Sequence, residues 1–78
     1  PASSFTHRLF QSPQLLASKI TEEAEELNEA EAREEVIHEA ADVIFFTMAR
    51  LAREQIQFSE IEDELDRRSG KVTRRNTV

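Results

Sequence analysis

The chain of 78 residues carries 16 Asp and Glu against 10 Lys and Arg, a formal charge of −6, with five Phe, one Gly, two Pro and no Cys. One domain is the most that this length holds, and its core is small enough to need a disulfide, a metal or a second chain. The lack of cysteine closes the disulfide route, removes zinc fingers, thiol catalysis and redox sensing, and fits a reducing, cytoplasmic compartment.

With 33% charged residues and only three Gly and Pro together, the composition predicts an all-α protein. A Gly-rich phosphate loop or a multi-stranded sheet needs turn residues that are absent here. No run of about 18 apolar residues exists to span a membrane, and no signal peptide is visible. The start at Pro1-Ala2, without methionine, fits methionine removal, trimming or a piece of a longer polypeptide.

Residues 1–11 read as an irregular arm. Ser12-Pro13 then marks a helix start, Ser as N-cap and Pro at the first helical position, and Leu16, Ile20, Ala24 and Leu27 follow at helical spacing, giving a first helix Pro13 to Ala30. A second runs from about Ala32 to Gln55 on Val36, Ile37, Ala40, Val43, Ile44, Met48 and Leu51. A third opens with Ser59 as N-cap and Glu62 completing a capping box, and stops near Gly70. Residues 71–78 form a basic tail, extended unless something binds it.

The charge is divided. Thr21 to Asp42 holds ten acids against Arg33 alone, while Arg67 to Val78 holds five bases and no acid. At about 100° per residue, Glu23 falls within about 20° of Leu16 on the apolar stripe, with Glu26 and Lys19 at its margin and Glu22 on the outer flank. Glu25 and Glu29 point away. In the second helix Ala40 to Ala52 is apolar nearly all round, as in a helix packed on several sides, yet contains Asp42, with Glu39 one turn earlier on the same side.

A dry, unpaired carboxylate costs several kcal/mol, so Asp42 requires a partner, a proton or a metal. If the first two helices are antiparallel, Glu23-x-x-Glu26 and Glu39-x-x-Asp42 bring four carboxylates together. Oxygen donors of this kind suit Mg²⁺, with Mn²⁺ as a substitute. The competing structural arrangement is ion pairing with Arg50 and Arg53.

On these residues the chain resembles the MazG-like, all-α NTP pyrophosphatases, marked by E-E-x-x-E, a spacer and E-x-x-D. Here the pattern is Glu22, Glu23 and Glu26 within KITEEAEEL, twelve spacer residues, then Glu39 and Asp42 within EAADVIFF. Within that superfamily it is similar to the phosphoribosyl-ATP pyrophosphohydrolases, fungal versions above all. Ser4 to Phe10 (SFTHRLF) resembles their S-Y-T-x-x-L arm and Ser69 to Arg75 (SGKVTRR) their basic C-terminus. Phe5 stands where that family has Tyr, and family members carry a further helix ahead of the arm.

The resemblance implies a MazG-like bundle completed by dimerisation and the Mg²⁺-dependent hydrolysis of 1-(5-phosphoribosyl)-ATP to phosphoribosyl-AMP and pyrophosphate in histidine biosynthesis. It further implies a possible place inside a longer multifunctional polypeptide. Glu23, Glu26, Glu39 and Asp42 are then the expected metal ligands, with Glu22, off the main face beside Glu23, as the water-activating base or as a residue that orients the ligands. Ser4, Phe5, Thr6, Arg8, Lys19, Arg74 and Arg75 are the expected substrate contacts, through hydroxyl, aromatic and cationic groups.

Other readings carry less. They are a MazG-like enzyme acting on another NTP or dNTP, and a non-catalytic acidic dimerisation module. Glu35-x-x-His38 has di-iron spacing but occurs once where two copies are needed. Nucleic acid is a poor partner, since the basic tail lacks interleaved aromatics and the body repels phosphate. Phe45 and Phe46 point to different sides of the second helix, which together with the small size predicts a homodimer.

Overall fold

A computed structural model describes residues 5–70 as four helices: α1 (Phe5–Gln11), α2 (Pro13–Glu29), α3 (Arg33–Arg53) and α4 (Phe58–Arg68), with no strand among the described residues. The all-α expectation holds. No helix among these residues is long and apolar enough to cross a membrane.

The segment expected to be an irregular arm is helical from Phe5 onward. Seven residues are too few for an independent helix in water, so tertiary packing holds α1. Leu9 is 0% exposed and meets Leu16 of α2 (1%) and Phe46 of α3 (6%) in the core, flanked by Leu15, Ile20 and Ala49. Burying a leucine in this way is worth about 2 kcal/mol. Phe5, one turn before Leu9, sets its ring edge-to-face on Phe46 at 6.0 Å between centroids.

Ser12 breaks the chain between α1 and α2. Its N–H donates to the Arg8 carbonyl at 2.9 Å, continuing α1, while its hydroxyl accepts from Leu15 N at 3.1 Å, opening α2. Pro13 has no N–H to offer and pushes Ser12 into extended backbone. The hairpin α2–α3 is the main packing unit, turned by Ala30 to Ala32. Glu35 caps the start of α3, its Oε1 accepting from Ala32 N at 3.1 Å and Glu31 N at 3.2 Å.

The start of α4 lies two residues from the expected place. Gln57 is the N-cap, and Glu60 rather than Glu62 reaches back, accepting from Gln57 N at 3.0 Å. Both registers offer a polar residue with Glu three positions on, and Phe58 joins the helix in the observed one. The helix ends at Ser69, with Gly70 at φ 77°.

The expectation that α3 is packed on several sides fails within one chain. Phe46 is its buried residue, while Ile37, Ile44, Phe45 and Met48 are exposed, as are Phe58 and Leu65 of α4. The helix α4 barely touches the hairpin. The radius of gyration of 15.3 Å exceeds the roughly 11 Å of a compact chain of this length.

Candidate metal and substrate site

The two acid pairs lie on the facing sides of α2 and α3. Spacing of three residues stacks Glu23 under Glu26 and Glu39 under Asp42, one helical turn apart. Glu39 stands beside Glu26, and Asp42 lies within electrostatic reach of Glu23, so the partners recede from the turn in step, as antiparallel helices require. The structure therefore sets Glu26 beside Glu39 and Asp42 within electrostatic reach of Glu23, with the closest donor atoms falling into one cluster on each helix.

Their burial differs. Glu23 is 6% exposed, whereas Glu26, Glu39 and Asp42 are partly exposed and Glu22 faces solvent. Oε1 of Glu23 and Oε1 of Glu39 are buried with no hydrogen-bond partner among the described residues. Burial pushes the Glu23 carboxyl above its usual range; Lys19 opposes the shift, and the charges of Glu26 and Asp42 add to it. Glu26 is pushed up as well, first by burial and then by the carboxylate of Glu39.

Two bases reach this set. Lys19 Nζ lies 2.9 Å from Glu22 Oε1 and 3.4 Å from Glu23 Oε2, and the first of these contacts does most to hold its proton. His38 Nε2 lies 3.4 Å from Asp42 Oδ2. The arginine alternative is not realised, for Arg50 pairs with Glu54 at 3.1 Å and no ion pair among the described residues joins Arg50 or Arg53 to the four acids. Carboxylate oxygens of Glu22, Glu23 and Glu26 lie within 4.8 Å of one another, as do donor atoms of His38, Glu39 and Asp42. Buried oxygens without a donor and too few cations are what a divalent ion would correct, so this donor set fits one.

The expected substrate contacts divide. Phe5, Thr6 and Arg8 lie on α1, with the Arg8 guanidinium 5.6 Å from the Phe5 ring centre. Phe5 touches Phe46, and Lys19 Nζ lies 5.5 Å over that same ring, so a line of rings and cations joins α1 to the carboxylates. Ser4, Arg74 and Arg75 lie outside the described residues. The sequence reading did not single out Phe46 as this link. Nor did it pair His38 with Asp42, although the spacing of four residues on a helix was available. It also passed over Asp66 of α4, which is 7% exposed.

The fold is an all-α domain whose helix hairpin carries facing acid pairs. The chain belongs to the phosphoribosyl-ATP pyrophosphohydrolase family, whose family model matches residues 1–69. It is 44% identical over 96% of its length to the histidine biosynthesis trifunctional protein of Saccharomyces bayanus, of which it spans 9%. It is 45% identical over 96% of its length to a histidine biosynthesis bifunctional protein of Schizosaccharomyces pombe, spanning 18% of that protein. To the histidine biosynthesis bifunctional protein HisIE of Wolinella succinogenes it is 38% identical over 90% of its length and 32% of the relative's. No solved structure matches it.

Proposed function

We propose that this domain hydrolyses the α–β phosphoanhydride of 1-(5-phosphoribosyl)-ATP, releasing phosphoribosyl-AMP and pyrophosphate, as a cytoplasmic step of histidine biosynthesis within a longer multifunctional polypeptide. The family match and the names of the relatives support the substrate. The observation that carries the chemistry is the meeting of Glu23 and Glu26 with Glu39 and Asp42, two of whose buried oxygens have no hydrogen-bond partner among the described residues.

A triphosphate cannot approach four carboxylates unaided. Glu23, Glu26, Glu39 and Asp42 would hold Mg²⁺ or Mn²⁺, which when bound would neutralise phosphate charge and make water more acidic. The residues do the rest. Glu22, exposed at the edge of the set, accepts the proton of the attacking water as its oxygen bonds to phosphorus and the bridging P–O bond breaks toward pyrophosphate. Lys19 meets phosphate oxygens, and α1 presents Phe5, Thr6 and Arg8 to the rest of the nucleotide. Phe5 offers a ring face and no hydroxyl.

The bundle is completed by a second copy of the chain. A core of Leu9, Leu16 and Phe46 is small for a stable domain, and the exposed apolar side chains of α3 and α4 offer the surface to enlarge it. Light scattering is expected to show a dimer that Ile44→Glu dissociates; a stable monomer at micromolar concentration refutes this part.

The test of the activity is pyrophosphate release from phosphoribosyl-ATP with Mg²⁺ and with chelator, against ATP and dUTP. Metal-dependent release from phosphoribosyl-ATP alone is the expected result. Equal release from dUTP assigns another nucleotide substrate, and no release from any of them leaves a non-catalytic module.

A further inference from the structure

Lys19 is where two roles of one side chain conflict. Its ammonium lies 2.9 Å from Glu22 Oε1 and 3.4 Å from Glu23 Oε2, on two of the three carboxylates whose oxygens cluster within 4.8 Å. A divalent ion on these oxygens would sit about 2.0–2.6 Å from them, inside the space of the ammonium, and two cations that close repel strongly. Both cannot hold the same atoms. Glu23 makes the repulsion matter: its carboxylate is 6% exposed, Lys19 lies on its Oε2, and an ion on the Oε1 that has no hydrogen-bond partner among the described residues would face the ammonium across one carboxyl group.

The ammonium already has a second partner. Its Nζ lies 5.5 Å from the centre of the Phe46 ring, a cation–π distance, at the end of a flexible four-carbon stem. That ring is held in place, 6% exposed with Phe45 and Phe5 set edge-to-face on it at 5.0 and 6.0 Å.

We propose that Lys19 is an exchangeable counter-ion: it competes with a divalent cation for the charge of Glu23, and the cation's arrival displaces it from the carboxylates, while the Phe46 ring keeps it beside the site for the phosphates of the substrate. This rests on the cation-dependent reading of the site above. It links the two binding events, since the ion that neutralises the carboxylates also frees a positive charge for the phosphates. A lysine suits this exchange better than an arginine, whose planar fork would grip the carboxylates in a bidentate pair.

The experiment uses Lys19→Met and Lys19→Arg, with Mn²⁺ binding followed by electron paramagnetic resonance at low salt and pyrophosphate binding to the Mn²⁺-saturated protein followed by calorimetry. Lys19→Met is expected to bind Mn²⁺ about threefold more tightly, having lost the competitor, and pyrophosphate about tenfold more weakly. Lys19→Arg is expected to bind Mn²⁺ no more tightly than the parent. Unchanged or weaker Mn²⁺ binding by Lys19→Met overturns the exchange, as does unchanged pyrophosphate binding. Should the methionine variant fail to fold, tighter Mn²⁺ binding by Lys19→Arg overturns it. Mn²⁺ bound equally by parent and variant removes the exchange alone, whereas no Mn²⁺ binding by the parent removes the cation site with it.

Discussion

Glu35 and Glu23 are both glutamates of the α2–α3 hairpin, and their surroundings push them in opposite directions. At the turn, the backbone N–H groups of Ala32 and Glu31 both donate to Glu35 and hold its carboxyl below the usual value of 4.5. In the middle of the hairpin, burial and like charges hold Glu23 and Glu26 above it. The first carboxylate closes a helix end and is satisfied by what surrounds it. The second pair keeps a surplus of negative charge that Lys19 offsets only in part. On the proposed function this surplus is where the cation binds.

The sharpest way to break this contrast is to remove the surplus. Glu39→Gln or Asp42→Asn is expected to cut pyrophosphate release at least about a hundredfold while helical circular dichroism persists, because each would remove one oxygen from the proposed ligand set and neither sits in the core. Near-normal turnover in either variant would sink the ligand assignment.

Glu23→Gln separates function from stability. A carboxyl whose proton is held more tightly in the fold than in the unfolded chain stabilises the fold at low pH, and that contribution is lost as pH rises through its raised folded value. In chelator, Glu23→Gln is therefore expected to melt higher than the parent at neutral pH, with the gap closing below pH 4.5, and with Mg²⁺ restored it is expected to lose the parent's catalysis at every pH. Lower melting at neutral pH would mean that the Lys19 ion pair outweighs burial.

Glu35 carries the opposite sign. Its lowered value stabilises the fold above the unfolded value and the contribution is lost as pH falls through the folded one. Glu35→Gln is expected to lower the melting midpoint by a few degrees at neutral pH, to flatten its decline toward acid, and to leave metal-dependent turnover within about twofold. A large activity loss without loss of helix would place Glu35 in the site.

How far the sequence made this legible follows from the range of the forces involved. Helical period and the i, i+3 spacing of acids are local, so α2, α3 and the facing of Glu23, Glu26, Glu39 and Asp42 were readable before any packing was known. The helix α1 was not, since seven residues have little propensity of their own and Leu9 becomes decisive only against Leu16 and Phe46. The start of α4 was ambiguous because Gln57 with Glu60 and Ser59 with Glu62 are rival caps two residues apart. The role of Lys19 was half legible: its side of the helix was clear, but its position over Phe46 depends on how α2 meets α3.

The smallest expected effect lies at the other end of α3, where strain is in the backbone rather than in charge. Ile56 N donates to the Leu51 carbonyl at 2.9 Å and Gln55 N to that of Ala52 at 3.1 Å, the paired bonds of a Schellman turn. The turn requires a left-handed residue, and Gln55 occupies it at φ 60°. A side chain there crowds the following carbonyl, whereas glycine does not. Gln55→Gly is expected to raise stability by about 0.5–1 kcal/mol in denaturant unfolding, with no change in cation binding or turnover. Because it stabilises the hairpin without touching a carboxylate, it also provides the control for Glu23→Gln. If Gln55→Gly depressed catalysis as Glu23→Gln does, the loss in the latter would belong to a stiffened fold and not to a missing ligand.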